Sequence, residues 1–235
     1  MLLMKNLTSV CPHCQSKNAF TWYGSLNLDR DTKIKTDLIE SGGLSLIKCS
    51  DCQIQYQEEP DLAIIYLSKR LWLIGHPIHQ ISNWERLEKE SLQNFSGTFG
   101  PNANSGFEAL GLKVNPRVVF GWPALIEKVL IYENNLNEKL IELAKYLIQK
   151  NLGPSGYELE LRFYQTDNNQ FVFRSYNQKT RKLLADKFSI SSEIVESFKN
   201  ENSDWGDFEK HFENTAWFDS LRLHHYQSKK NTTAA

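Results

Sequence analysis

The chain has 235 residues, 40% hydrophobic and 23% charged, with 27 Lys and Arg against 28 Asp and Glu for a net charge of −1. That balance is ordinary for a soluble globular protein and argues against general attraction to phosphate backbones, whose affinity comes from many Lys and Arg contacts. No apolar run approaches the roughly 18 residues of a membrane span, and Met1-Leu2-Leu3-Met4-Lys5 lacks the length and cleavage site of a signal peptide, so a cytoplasmic protein without a membrane partner is expected.

Residues 1–10 read as an irregular lead-in to Cys11-Pro12-His13-Cys14. A strand is expected over 19–28 and a short helix over 31–40, ended by Ser41-Gly42-Gly43 because glycine accepts the left-handed C-cap conformation. A strand over 44–48 runs into Cys49-Ser50-Asp51-Cys52, and Ile54 and Tyr56 continue in strand alternation. Two further strands are expected over 63–67 and 70–74, then a helix over 84–95. Residues 96–113, rich in Gly, Asn and Ser, read as a mobile loop.

A buried-type strand over 117–120 precedes a helix with Pro123 in its first turn, where the missing N–H has no partner to lose. Asn135 with Glu138 resembles a capping box for a second helix running to about 149, and the two form a helical hairpin. Residues 157–164 and 171–176 alternate around Asp167-Asn168-Asn169 and read as a β-hairpin. A third strand over 180–188, a Ser-capped helix over 191–199, a helix over 207–212, an aromatic segment over 217–226 and a polar tail over 227–235 complete the expectation.

All four cysteines fall into two C-x-x-C pairs separated by 34 residues. Two residues between cysteines let a tight turn aim both thiolates at one ion, and two such turns give the tetrahedral S4 geometry that zinc accepts. Pro12 presets the first turn. Strand-like sequence follows each pair, which is the zinc-ribbon arrangement with a longer gap than usual. In a reducing compartment such pairs are metal ligands or catalysts rather than disulfides. A rival reading takes Cys11-Pro12-His13-Cys14 as a thioredoxin-type redox motif, whose first cysteine lies at a helix N-terminus. Here strand-like sequence follows the motif, no βα unit precedes it, and the second pair would be left unexplained. A third reading leaves the cysteines unliganded.

Cys11-Pro12-His13-Cys14, Gly43 through Cys49-Ser50-Asp51-Cys52, Arg117-Val118-Val119-Phe120, the stretch from Leu125 to Tyr132 and Asn135 through Glu142 resemble the bacterial CpXC domain family. The resemblance covers about residues 10–150 and more faintly the segment through Trp217-Phe218-Asp219. It implies metal binding by the cysteine pairs and no established biochemical role. Ser50 stands where a proline is common, and Gln15 and Gln53 stand where zinc knuckles often carry glycine.

Other chemistry-bearing residues have plainer readings. His76 and His79 have ligand-like spacing but no third ligand nearby in sequence, and His211, His224 and His225 stand no better. Glu127-Lys128 reads as a helix-surface pair or a buried one. Asp204, Asp207, Glu209 and Asp219 are scattered, and nothing fixes two of them as an acid and base pair. Phosphate-cradling glycine loops are absent from the sequence. Trp22, Tyr23 and Trp72 read as core rather than base-stacking residues, and Lys33, Lys35 and Lys48 are too few for a nucleic-acid default.

The expected fold is α+β: a zinc ribbon merged with an antiparallel sheet, a helical hairpin, and a β-rich C-terminal part. Residues 1–152 would form the domain carrying the ribbon and the hairpin, 153–226 a β-rich part packed on it, and 227–235 a flexible tail. One structural Zn2+ would sit on Cys11, Cys14, Cys49 and Cys52. The expected function is a non-enzymatic binding or interaction protein with a protein partner. The alternatives are a nucleic-acid-associated protein using the ribbon face and an enzyme with a site between the two parts.

Overall fold

A computed structural model describes residues 3–101, 103–201 and 215–217. The helix expected over 207–212, most of the segment over 217–226 and the tail lie outside the described residues. The chain divides into two compact units, Met1–Ile126 and Glu127–Ala235. The division falls within the first helix of the hairpin, whereas the sequence reading places it after residue 152.

Unit 1 is built on a five-stranded sheet in the order β1-β2-β5-β6-β7. β1 (Leu3–Val10) and β2 (Lys17–Asn27) are antiparallel. The irregular lead-in expected over 1–10 is therefore a strand; every residue of β1 but Ser9 is exposed, so the strand carries no burial alternation to read. β5 (Leu62–Tyr66) pairs parallel to β2 and antiparallel to β6 (Leu71–His76), and β7 (Asn115–Phe120) pairs parallel to β6. The sheet is thus mixed, not the antiparallel sheet expected. Parallel neighbours need a crossover, usually helical, and both are present. α1 (Thr32–Glu40) lies between β2 and β5, while α2 (Trp84–Phe99) and α3 (Ser105–Gly111) lie between β6 and β7. Part of the loop expected over 96–113 is accordingly helical: α2 runs on to Phe99, and Asn104 caps α3 by accepting the Gly106 N–H.

Leu26, Leu38, Ile64, Leu71, Leu73 and Val118 are fully buried in the core of unit 1. Trp72, Phe99 and Val114 form a second cluster, with Phe95 5.3 Å from Trp72 between ring centroids. Gly75 admits a helix to the sheet, because a Cβ there would meet Leu125 Cδ1 at 2.4 Å. Between α1 and β5 the chain makes a small hairpin of β3 (Leu46–Lys48) and β4 (Gln55–Gln57).

α4 (Trp122–Glu133) crosses from unit 1 into unit 2. In unit 2, the α4 residues from Glu127 onward, with α5 (Glu138–Leu152), pack on the antiparallel sheet β10-β9-β8. β8 (Leu159–Asp167) and β9 (Gln170–Asn177) meet at Asn168 and Asn169, which take φ of 45° and 62° as a tight hairpin turn requires. β10 (Leu183–Ser191) leads into α6 (Ser192–Glu201). The cap of α5 is Asn137, which accepts the Lys139 N–H, and not Asn135, which sits at φ 53° in the joint. Ile131, Ile141, Leu143, Leu161, Phe163, Phe173 and Val195 form the core of this unit.

Candidate metal centre

The two cysteine pairs sit at the tips of two hairpins. Cys11 directly follows β1, and Cys49 directly follows β3. The two turns share one backbone pattern. In the first, Cys11 N–H donates to Ser16 C=O at 2.9 Å and Gln15 N–H to Cys11 C=O at 3.0 Å. In the second, Cys49 N–H donates to Ile54 C=O at 2.9 Å and Gln53 N–H to Cys49 C=O at 3.1 Å. Gln15 and Gln53 both adopt the left-handed conformation that reverses the chain after the second cysteine.

These turns bring the four sulfurs within 4.8 Å of one another. The Cys11–Cys52 separation is 3.7 Å and the Cys14–Cys49 separation 3.5 Å. Four sulfurs about 2.3 Å from one zinc at tetrahedral corners lie about 3.8 Å apart, so the cluster has the dimensions such an ion needs. All four thiols are free of disulfides. Cys11 and Cys49 are fully buried, Cys52 is half-buried and Cys14 is exposed.

The thiols do not share their surroundings equally. The Ser16 hydroxyl, then the Cys52 N–H, lead the groups that pull Cys49 down to about 5 against the opposing effect of burial. Ser16 also lowers Cys14, first through its hydroxyl and then through its N–H. Cys52 faces the Ile54 N–H, which favours its thiolate. Burial and the neighbouring sulfurs of Cys14, Cys49 and Cys11 nevertheless push it up to about 12. The packed sulfurs thus oppose the ionisation of Cys52, and a bound cation reverses that, because a coordinating thiol is deprotonated outright. The residues present therefore fit a thiophilic divalent metal.

Two residues not singled out from the sequence flank the cluster. Ser16 Oγ lies 3.0 Å from Cys49 Sγ and 3.2 Å from Cys14 Sγ. Asn18 lies inside β2, is buried, and directs its amide at both turns. A buried Asn within a strand is the one signal that could have marked it, since Asn is depleted in strands.

The remaining candidates are not assembled into a site. Among the described residues, the four cysteines alone bring three or more His, Cys, Asp or Glu ligand atoms together. His76 Nε2 lies 3.2 Å from Ser91 Oγ, and burial holds its pKa below the ordinary value. Trp72 is buried and Trp22 and Tyr23 are half-buried, while Lys35 donates to Tyr66 Oη at 3.0 Å. His211, His224, His225, Asp204, Asp207, Glu209 and Asp219 lie outside the described residues.

Glu127 and Lys128 are both buried, and each pairs with other elements of unit 2. Lys145 Nζ is 3.1 Å from Glu127 and 2.7 Å from Glu142. Lys128 Nζ is 3.3 Å from Glu142 and 3.5 Å from Glu138. Arg162 joins Glu127 at 2.9 Å to Glu160 at 2.6 Å, and Arg181 also meets Glu160. Every charge of this network faces an opposite one, as a buried ionic structure requires.

A family model described as CpXC protein matches residues 10–145. No curated protein and no solved structure is found to match the chain. Among the described residues, no helix is long and apolar enough to cross a membrane.

Proposed function

The chain belongs to the CpXC family, and on that premise we propose that it is a zinc-stapled, non-enzymatic interaction protein of the cytoplasm. Cys11, Cys14, Cys49 and Cys52 ligate one structural Zn2+ in a zinc-ribbon arrangement, and the surface so held engages a protein partner. The observation that carries this reading is the convergence of four free thiols within 4.8 Å on two turns of matching backbone geometry. Four thiolates close the tetrahedral shell and leave no position for water or substrate, which supports a structural over a catalytic ion. Zinc suits this donor set because it accepts S4 geometry without redox chemistry.

An interaction role is supported by β1. It ends the sheet order among the described residues, and Leu3, Met4, Leu7 and Val10 are exposed along it. An open strand edge of this kind is a template for pairing with another chain.

The test compares zinc-loaded with chelator-stripped full-length chain by native mass spectrometry and thermal unfolding. The reading expects release of one zinc and a lower thermal midpoint, since metal-binding free energy is folding free energy at such sites. Unchanged mass and midpoint after stripping would overturn it.

A further inference from the structure

We propose that Asn18, together with Ser16, is a positioning pair that presets the two cysteine turns for the metal; this rests on the metal-binding reading above. Asn18 is only 6% exposed. Its Oδ1 accepts the Ser50 N–H at 2.9 Å, and its Nδ2 donates to the Ser16 C=O at 3.2 Å. The same Nδ2 lies 3.6 Å from Cys49 Sγ and 3.4 Å from Ser16 Oγ. These partners fix which way the amide points, because an N–H needs the oxygen and a carbonyl needs the NH2.

Ser16 belongs to the first turn, and Ser50 and Cys49 belong to the second. One buried side chain therefore bridges two segments more than 30 residues apart in the chain, and does so through bonds that need no ion. The bridge sets how far apart the two cysteine pairs sit before the metal arrives. Ser16 Oγ adds a second device, lying within reach of both Cys14 and Cys49. Hydrogen bonds from a hydroxyl or amide to a thiolate draw charge off the sulfur and hold the ligand in place. Such outer partners typically alter metal affinity by roughly 10–100-fold.

The experiment uses the full chain as wild type, Asn18→Asp, Asn18→Ala and Ser16→Ala. Zn2+ affinity is read by competition with a chromophoric chelator, and Co2+ serves as a spectroscopic substitute. Asn18→Asp keeps an acceptor for the Ser50 N–H but cannot donate, while Asn18→Ala removes both halves of the bridge. Both are expected to bind Zn2+ roughly 10–100-fold more weakly. The Co2+ thiolate charge-transfer bands should move to lower energy in all three variants, while keeping four-thiolate intensity. A residue that only packed would lower stability without moving those bands.

Wild-type affinity and band position in both Asn18 variants would overturn the proposal. Should Asn18→Ala fail to fold, Ser16→Ala decides, because it leaves the Asn18–Ser50 bond intact; unshifted bands there would overturn the proposal equally. Failure of the wild type to bind either ion would sink the metal reading itself, whereas binding by the wild type with indistinguishable variants would sink this inference alone.

Discussion

Gln15 and Gln53 adopt the same left-handed backbone conformation, with φ of 64° and 62°, each one residue past the second cysteine of its pair. A non-glycine residue there carries a strain of about 1 kcal/mol or more. Gln53 offsets part of it, because its Nε2 donates to the Ser50 C=O at 2.8 Å, a bond that contributes about 1 kcal/mol.

The two positions should therefore respond differently to glycine. Gln15→Gly is expected to stabilise the zinc-loaded chain by about 0.5–1 kcal/mol, the strain relieved less the extra freedom of the unfolded glycine. Gln53→Gly should leave stability nearly unchanged, since it forfeits the side-chain bond. Thermal midpoints of the two variants measure this, and a Gln53→Gly gain larger than that of Gln15→Gly would refute the account of the turns.

The buried network of unit 2 sets an acid limb of stability. Burial opposes the charge of Glu127, but Lys145, Arg162, Lys128 and the Phe163 N–H hold its carboxyl below the usual range. A carboxylate depressed in the folded state stabilises above its unfolded pKa of about 4.3, and that stability is lost as pH falls through the folded value. Urea midpoints should drop as pH is lowered from about 5 toward 3, and Glu127→Gln should flatten that limb. Lys145→Met leaves Glu127 and Glu142 without their shared cation and should cost about 3–5 kcal/mol at neutral pH. A loss below about 1 kcal/mol would mean the network is solvated.

Duplex DNA should not be a ligand. With 27 basic against 28 acidic residues, the chain has no excess charge to release counterions, and non-specific binding at physiological salt is weak, about 10⁻⁴–10⁻⁶ M, even for proteins that have one. Fluorescence anisotropy at about 150 mM salt should detect no submicromolar binding; a saturable submicromolar isotherm would contradict the assignment.

The cysteine pairs were legible because C-x-x-C spacing encodes its own turn; the strand after the second pair is present, but it begins at Gln55 and leaves Ile54 exposed. The mixed sheet was not. α1 and α2 were both visible as helices, yet their consequence, parallel pairing of β2 with β5 and of β6 with β7, follows only once they are treated as crossovers. β1 escaped because an exposed edge strand buries too little to leave a period. Glu142 and Lys145 escaped for the opposite reason: on α5 they lie beside Ile141, Leu143 and Ala144 and are buried with them, where charge ordinarily marks a solvated face. Their own ion pair, with Glu127 and Lys128 brought from α4, makes that burial tolerable.

The most direct test of the central claim is the metal content of full-length protein purified without added metal, together with its free-thiol count. The account predicts about one zinc per chain, as a single S4 site implies, with the four thiols unreactive until a chelator is added. It further predicts that Cys49→Ser lowers the zinc content and the thermal midpoint together. Protein free of metal, with Cys11 and Cys14 joined in a reversible disulfide, would contradict it and leave a redox dithiol in its place.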